Sequence, residues 1–147
     1  MSTIKNLLLN AAKADLLLIS GIRGVSLNPA RIPTIGDVLI LPWTCLFDED
    51  EPPVKYINRF DQHEFNLHIE TWTKVDKPDD LSDALDELYG QTILKMFDAS
   101  SSYLQYRTNT EEIFFGKTIV DDNQGAIVNK YKITYRTVHG NPYQMNI

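Results

Sequence analysis

A single cysteine, Cys45, excludes a disulfide within the chain, and a lone thiol fits a reducing compartment. Long apolar runs are also missing. Leu16–Ile19 is hydrophobic, but Lys5, Lys13 and Asp15 sit around it, so it reads neither as a membrane span nor as a signal peptide. Basic residues are in the minority: 14 Lys and Arg against 20 Asp and Glu give a net charge of −6. That balance argues against a dedicated nucleic-acid binder, although it leaves room for a local basic strip. The signatures of much common chemistry are absent as well. No Gly-rich phosphate loop, Walker sequence, zinc-protease helix or Cys-x-x-Cys occurs.

What is present is an ordinary folded composition, 43% hydrophobic and 23% charged over 147 residues, enough for one domain with a real core. The clearest order lies between Gln62 and Phe97. Phe65, Leu67, Ile69, Thr71, Thr73 and Val75 alternate with Asn66, His68, Glu70, Trp72 and Lys74, which predicts a strand over Gln62–Val75 with one buried face. Pro78 then turns the chain. Leu81, Ala84, Leu85, Leu88, Thr92 and Met96 form one stripe of a second helix. A first helix starts after Ser2 or Thr3, with Ile4, Leu7, Leu8, Ala11 and Ala12 on one face. Glu111–Val120 and Ala126–Val138 read as a hairpin around Asp121–Gly125.

Between the helices and strands, residues 21–62 read as a long irregular segment punctuated by Gly and Pro. Within it, only Val38–Leu41, running on to Pro42 and Trp43, reads as a short strand. Residues 98–110 read as a polar loop and 139–147 as a short tail. The expected architecture is α+β: an antiparallel or mixed sheet of about four strands, with two main helices packed on one face, in a single domain over residues 1–147.

Candidate chemistry is thin. His63 and His68 are five apart in a strand and so point to opposite faces, which keeps them from sharing a metal. The Asp121–Gly125 turn lacks the ligand spacing of a calcium loop, since residue 131 is Tyr where that loop needs Glu. Carboxylates at Asp79, Asp80, Asp83, Asp86 and Glu87 suit the positive end of a helix dipole without further explanation. No catalytic residue, metal site or cofactor is expected.

Surface features are richer. Asp48, Glu49, Asp50 and Glu51 form an acidic turn. Lys130, Lys132 and Arg136 share the non-core face of the last long strand. Opposite charges on separate patches suit head-to-tail contacts between copies, which close into a ring if the rotation allows. Trp72 points away from the helix-covered face, where it serves either as an exposed interface anchor or as a residue covered by the first helix or the Gly21–Pro53 segment. At the end of the second helix, Ile93, Leu94, Met96 and Phe97 surround the helix. This predicts burial on more than one side, by docking under the following loop or against another subunit.

The layout has a resemblance. Leu39-Ile40-Leu41-Pro42, the strand His63–Lys74, the helix Asp80–Met96, and Lys132–Arg136 followed by Asn141-Pro142-Tyr143 together resemble the tail terminator (tail completion, minor tail U-like) proteins of long-tailed phages. The likeness covers nearly the whole chain in layout and contains no signature residue. It implies six copies forming a homohexameric ring at the head-proximal end of the tail. Such a ring stops polymerisation of the tail tube protein and offers the head completion or connector protein a joining surface. It implies assembly in the host cytoplasm, residence in the virion, DNA passing through the lumen without specific binding, no membrane and no enzymatic activity. A related connector or neck protein has much the same appearance. A small ligand-binding domain or enzyme, with a pocket under the Gly21–Pro53 segment, is the contrasting expectation.

Overall fold

A computed structural model describes residues 1–29, 41–49 and 51–146. The long alternating strand is the spine. It runs Phe60–Lys74 (β4), and Phe65, Leu67, Ile69, Thr71 and Thr73 are all buried. Its neighbours are Trp43–Asp48 (β2) on one side and Gln124–Val138 (β6) on the other, both antiparallel. Gly24–Leu27 (β1) adds to β2 in parallel, and Asn109–Asp121 (β5) adds to β6 antiparallel. Two short strands complete the sheet: Lys55–Ile57 (β3) pairs with the start of β4, and Asn141–Met145 (β7) with the end of β6. Among the described residues the sheet has seven strands in the order β1-β2-β4-β6-β5, with β3 and β7 off that path.

The expected α+β class holds, but the strand number does not: seven strands stand where about four were expected. The extra strands come mostly from the segment read as irregular. β1 and β3 have four and three residues, too short to show a period. In β2, Thr44 and Leu46 face the helices while Trp43, Cys45 and Phe47 face the other way, so both sides are apolar and alternation is masked. The expected strand over Val38–Leu41 falls mainly outside the described residues; Leu41 is buried and lies outside any strand. The expected tail is likewise partly a strand, β7, folded back by Gly140 at φ 72°.

Both helices cover the same face. Helix Ile4–Leu17 (α1) is capped by Thr3, whose Oγ1 accepts from the Asn6 amide at 3.2 Å. It buries Leu8, Leu9, Ala12 and Leu16 against Phe65, Leu67, Ile69, Tyr131 and Ile133. Helix Leu81–Phe97 (α2) follows a 3-10 turn at Pro78–Asp80 and packs Leu81, Leu85 and Leu88 on Ile127. Register places Thr71 opposite Ile127 and Leu67 opposite Tyr131, so the two core clusters lie on one side of the sheet. Each buried Leu, Ile or Phe here contributes about 1.5–3 kcal/mol by leaving water.

The polar loop after α2 is more ordered than its composition implies. Ser102–Tyr106 forms a 3-10 turn with Tyr103 fully buried. Asp15 at the end of α1 holds this turn. Its carboxylate accepts from the Ser102 amide at 2.8 Å, the Ser102 hydroxyl at 2.7 Å and the Tyr103 amide at 2.9 Å. A buried acid is thereby satisfied, and three donors with it.

Candidate interaction surface

The opposite face of the sheet carries no helix among the described residues. It holds the side chains alternating with the core: Trp43 and Phe47 from β2, His68, Glu70 and Trp72 from β4, and Lys130, Lys132 and Arg136 from β6. The expected orientations of Trp72 and of the basic strip therefore stand. So does the opposition of His63 and His68: His63 stacks on Tyr135 at 4.5 Å on the helix side, while His68 lies on the open face.

These groups form a connected row. Trp72 Nε1 donates to Glu70 at 3.2 Å, and His68 Nε2 lies 2.8 Å from the same carboxyl group. His68 Nδ1 is 3.5 Å from Glu49, and Lys130 Nζ is 3.1 Å from that same Glu49 oxygen. The bond from His68, together with that from Trp72, holds Glu70 below the usual carboxylate range against the cost of burial. Lys130 does the same for Glu49. Beneath the row, Cys45 is fully buried; burial first and Glu70 second push its thiol up to about 11.

The acidic turn is largely neutralised by its own chain. Lys5 reaches Asp48 at 3.1 Å and Glu51 at 3.5 Å, and Glu51 also accepts from the Tyr135 hydroxyl at 3.0 Å. Burial raises the Asp48 pKa, but bonds from Asn28 and Lys5 outweigh it and leave the carboxyl net lowered. Asp50 lies outside the described residues. Of the strip, Lys130 is thus bound internally and Arg136 lies over the Phe60 ring at 4.4 Å, with Gln62 beside it. Lys132 makes no ion pair among the described residues and sits between Asn66 and Glu111 in the sheet.

The end of α2 departs from expectation. Met96 and Thr92 are buried, but Leu94 is 59% exposed and Phe97 45% exposed, with only the edge of Phe97 against Tyr131. Here the loop after the helix folds under Met96 and leaves the far side open. The bond from the Tyr103 hydroxyl to the Met96 carbonyl marks where it docks.

A further exposed apolar feature was not singled out from sequence. Strand β5 ends the sheet, and Ile113, Phe114, Phe115, Ile119 and Val120 along it are all exposed. Phe115 leans on Tyr89 of α2 at 3.9 Å between ring centres, so the apolar band continues onto the helix. The run Ile113-Phe114-Phe115 was the available signal. In a strand, consecutive apolar residues point to both faces, which an edge strand in water does not need.

A shallow concavity of about 290 Å³ lies on the open face, lined by His68, Phe114, Gly116, Lys117, Thr118, Val128 and Lys130. It lies on the far side of the sheet from the helices and involves none of the described residues of the Gly21–Pro53 segment. No group of three or more His, Cys, Asp or Glu poised to hold a metal occurs among the described residues. Nor, among them, is any helix long and apolar enough to cross a membrane. In comparisons with known proteins, no family model matches the chain and no curated protein matches its sequence.

Proposed function

We propose that this chain is a structural assembly protein of a long-tailed phage, a tail terminator whose copies form a ring that caps the tail tube and presents a joining surface to the head. The observation that carries the assembly part is edge strand β5, where Phe115 and Ile119 on the helix-covered face and Phe114 on the open face all stand exposed. An exposed apolar edge strand is a ready template for pairing with another chain. The phage-tail part rests on the layout of elements: an amphipathic first helix, a long alternating strand, an acidic-started helix and a final hairpin. The ring number of six comes from the same resemblance.

Light scattering on the purified chain tests the assembly part. Self-association that Phe114→Asp with Phe115→Asp abolishes, in a variant that stays folded, supports it. A chain that remains monomeric at high concentration and also with tail tubes present argues against it. Head–tail connector is the neighbouring reading; binding to the head side but not to tubes favours it. The concavity beside His68 and Lys130 is what favours a ligand-binding reading; because Phe114 lines it, ligand binding is measured on the unaltered chain.

A further inference from the structure

Among the described residues β1 and β5 are the two ends of the sheet's main path, and they fit each other. Strand β1 is parallel to β2, and every later step along β2-β4-β6-β5 is antiparallel, so β1 and β5 run in opposite directions. A second copy placed beside the first in the same orientation therefore meets β5 with its β1 in an antiparallel sense. The levels also agree. Gly24 aligns with Trp43, then Trp72, Ala126 and Thr118; Leu27 aligns with Leu46, Ile69, Asn129 and Phe115. β1 thus sits at the height of Phe115–Thr118, and Leu27 shares the helix-covered face with Phe115.

The flanks match as well. On the β5 side the exposed groups are Phe115 and Ile119, while on the β1 side Leu17 and Leu18 are exposed, Leu18 by 72%. Helix α1 packs beside β1, and α2 lies mainly over β6 with a smaller contact to β5. Apart from Asp15, which is buried and bonded, the charges on α1 are Lys5 and Lys13. Those on α2 are Asp83, Asp86 and Glu87 against Lys95. With Lys5 bound to Asp48 and Glu51 and Asp86 bound to Lys117, a head-to-tail neighbour leaves Lys13 of one copy to face Asp83 and Glu87 of the next. Lys117, which otherwise guards the edge, is bonded back to Asp86 at 2.6 Å.

We infer that the partner of the β5 edge is the β1 edge of a second copy of this chain, giving a continuous antiparallel sheet across each subunit boundary with Leu27 of one copy opposite Phe115 of the next. This rests on the ring-forming reading and specifies its interface. A repeated heterologous contact of this kind gives a ring where the rotation closes and an open filament where it does not, never a two-fold dimer.

Engineered disulfides test it. Cys45 is fully buried and leaves the background silent. Within one chain Leu27 and Phe115 are separated by four strand spacings, about 19 Å, beyond the roughly 7 Å a disulfide spans. Full-length Leu27→Cys/Phe115→Cys is oxidised at high concentration and run without reductant. The expected result is a ladder of covalent oligomers, with each single variant giving none. Leu18→Cys/Ile119→Cys, at more exposed positions, repeats the test should the first pair fold poorly. A covalent dimer from Phe115→Cys alone means β5 pairs with β5 and overturns the inference. Rings seen by light scattering without the disulfide ladder overturn the β1–β5 pairing and leave the assembly reading standing. Absence of any self-association, with or without tail tubes, overturns both.

Discussion

Lys130 Nζ lies 3.1 Å from Glu49 Oε1, so the basic strip of β6 and the acidic turn after β2 meet within one chain. Both side chains are about a third exposed, and such pairs are worth less than about 1 kcal/mol. Lys130→Gln is expected to shift the urea midpoint only slightly, and the shift fades at high salt. A loss of several kcal/mol would show the pair to be structural. The consequence for function is that Lys132 and Arg136, rather than Lys130, are the cations left for a neighbour.

Reversing those two charges tests that assignment. Lys132→Glu with Arg136→Glu is expected to keep the fold and to weaken ring formation or tail joining. Some stability is lost because Arg136 covers the Phe60 ring, a contact of order 0.5–1 kcal/mol at a partly exposed site. Circular dichroism and light scattering on the same sample separate the two effects. An unfolded double variant means the strip is structural.

Two core substitutions carry larger penalties. Ile133 is fully buried between β4 and β5, so Ile133→Asp places an unpaired charge in the core and is expected to abolish the cooperative thermal transition. Asp15→Ala removes the acceptor of three bonds to Ser102 and Tyr103. Leaving buried donors unpaired costs about 1–3 kcal/mol, read as a lower denaturation midpoint. A neutral result would mean that water replaces the carboxylate.

Acid should destabilise the protein in two stages. His63 is held below its ordinary value of 6.5 by burial. The unfolded chain therefore takes up its proton first, and stability begins to fall as pH drops below 6.5. Glu70 is held below 4.5 chiefly by His68. Its contribution is complete above 4.5 and is lost as pH falls through the lower folded value. Glu70→Gln is expected to flatten the second stage of a stability–pH curve and leave the first unchanged. An unaltered second stage would assign it to other carboxylates.

The elements legible in the sequence are those with a clean period and enough length to show it. Phe65 to Thr73 in β4 and Leu81 to Met96 in α2 fell where alternation and the helical stripe placed them. Boundaries moved by a residue or two: β4 begins at Phe60, ahead of Gln62. β1, β3 and β7 were not legible, because three to five residues cannot display a period and their place is set by pairing with distant strands. Leu94 and Phe97 were legible as apolar, but not as exposed, since that depends on where Tyr103 docks. Of the candidate surface, the face of Trp72 and of the basic strip followed from period two. The internal capture of Glu49 and Asp48 by Lys130 and Lys5 did not, because those partners are 81 and 43 positions away in sequence.

The proposed ring of copies is expected to stop tube growth. Electron images of growing tail tubes, taken with and without the purified protein, test it most directly. Tubes of fixed length ending in a six-fold ring are expected when the protein is present. Tubes that keep growing with uncapped ends, beside a protein that stays monomeric at high concentration, would contradict it.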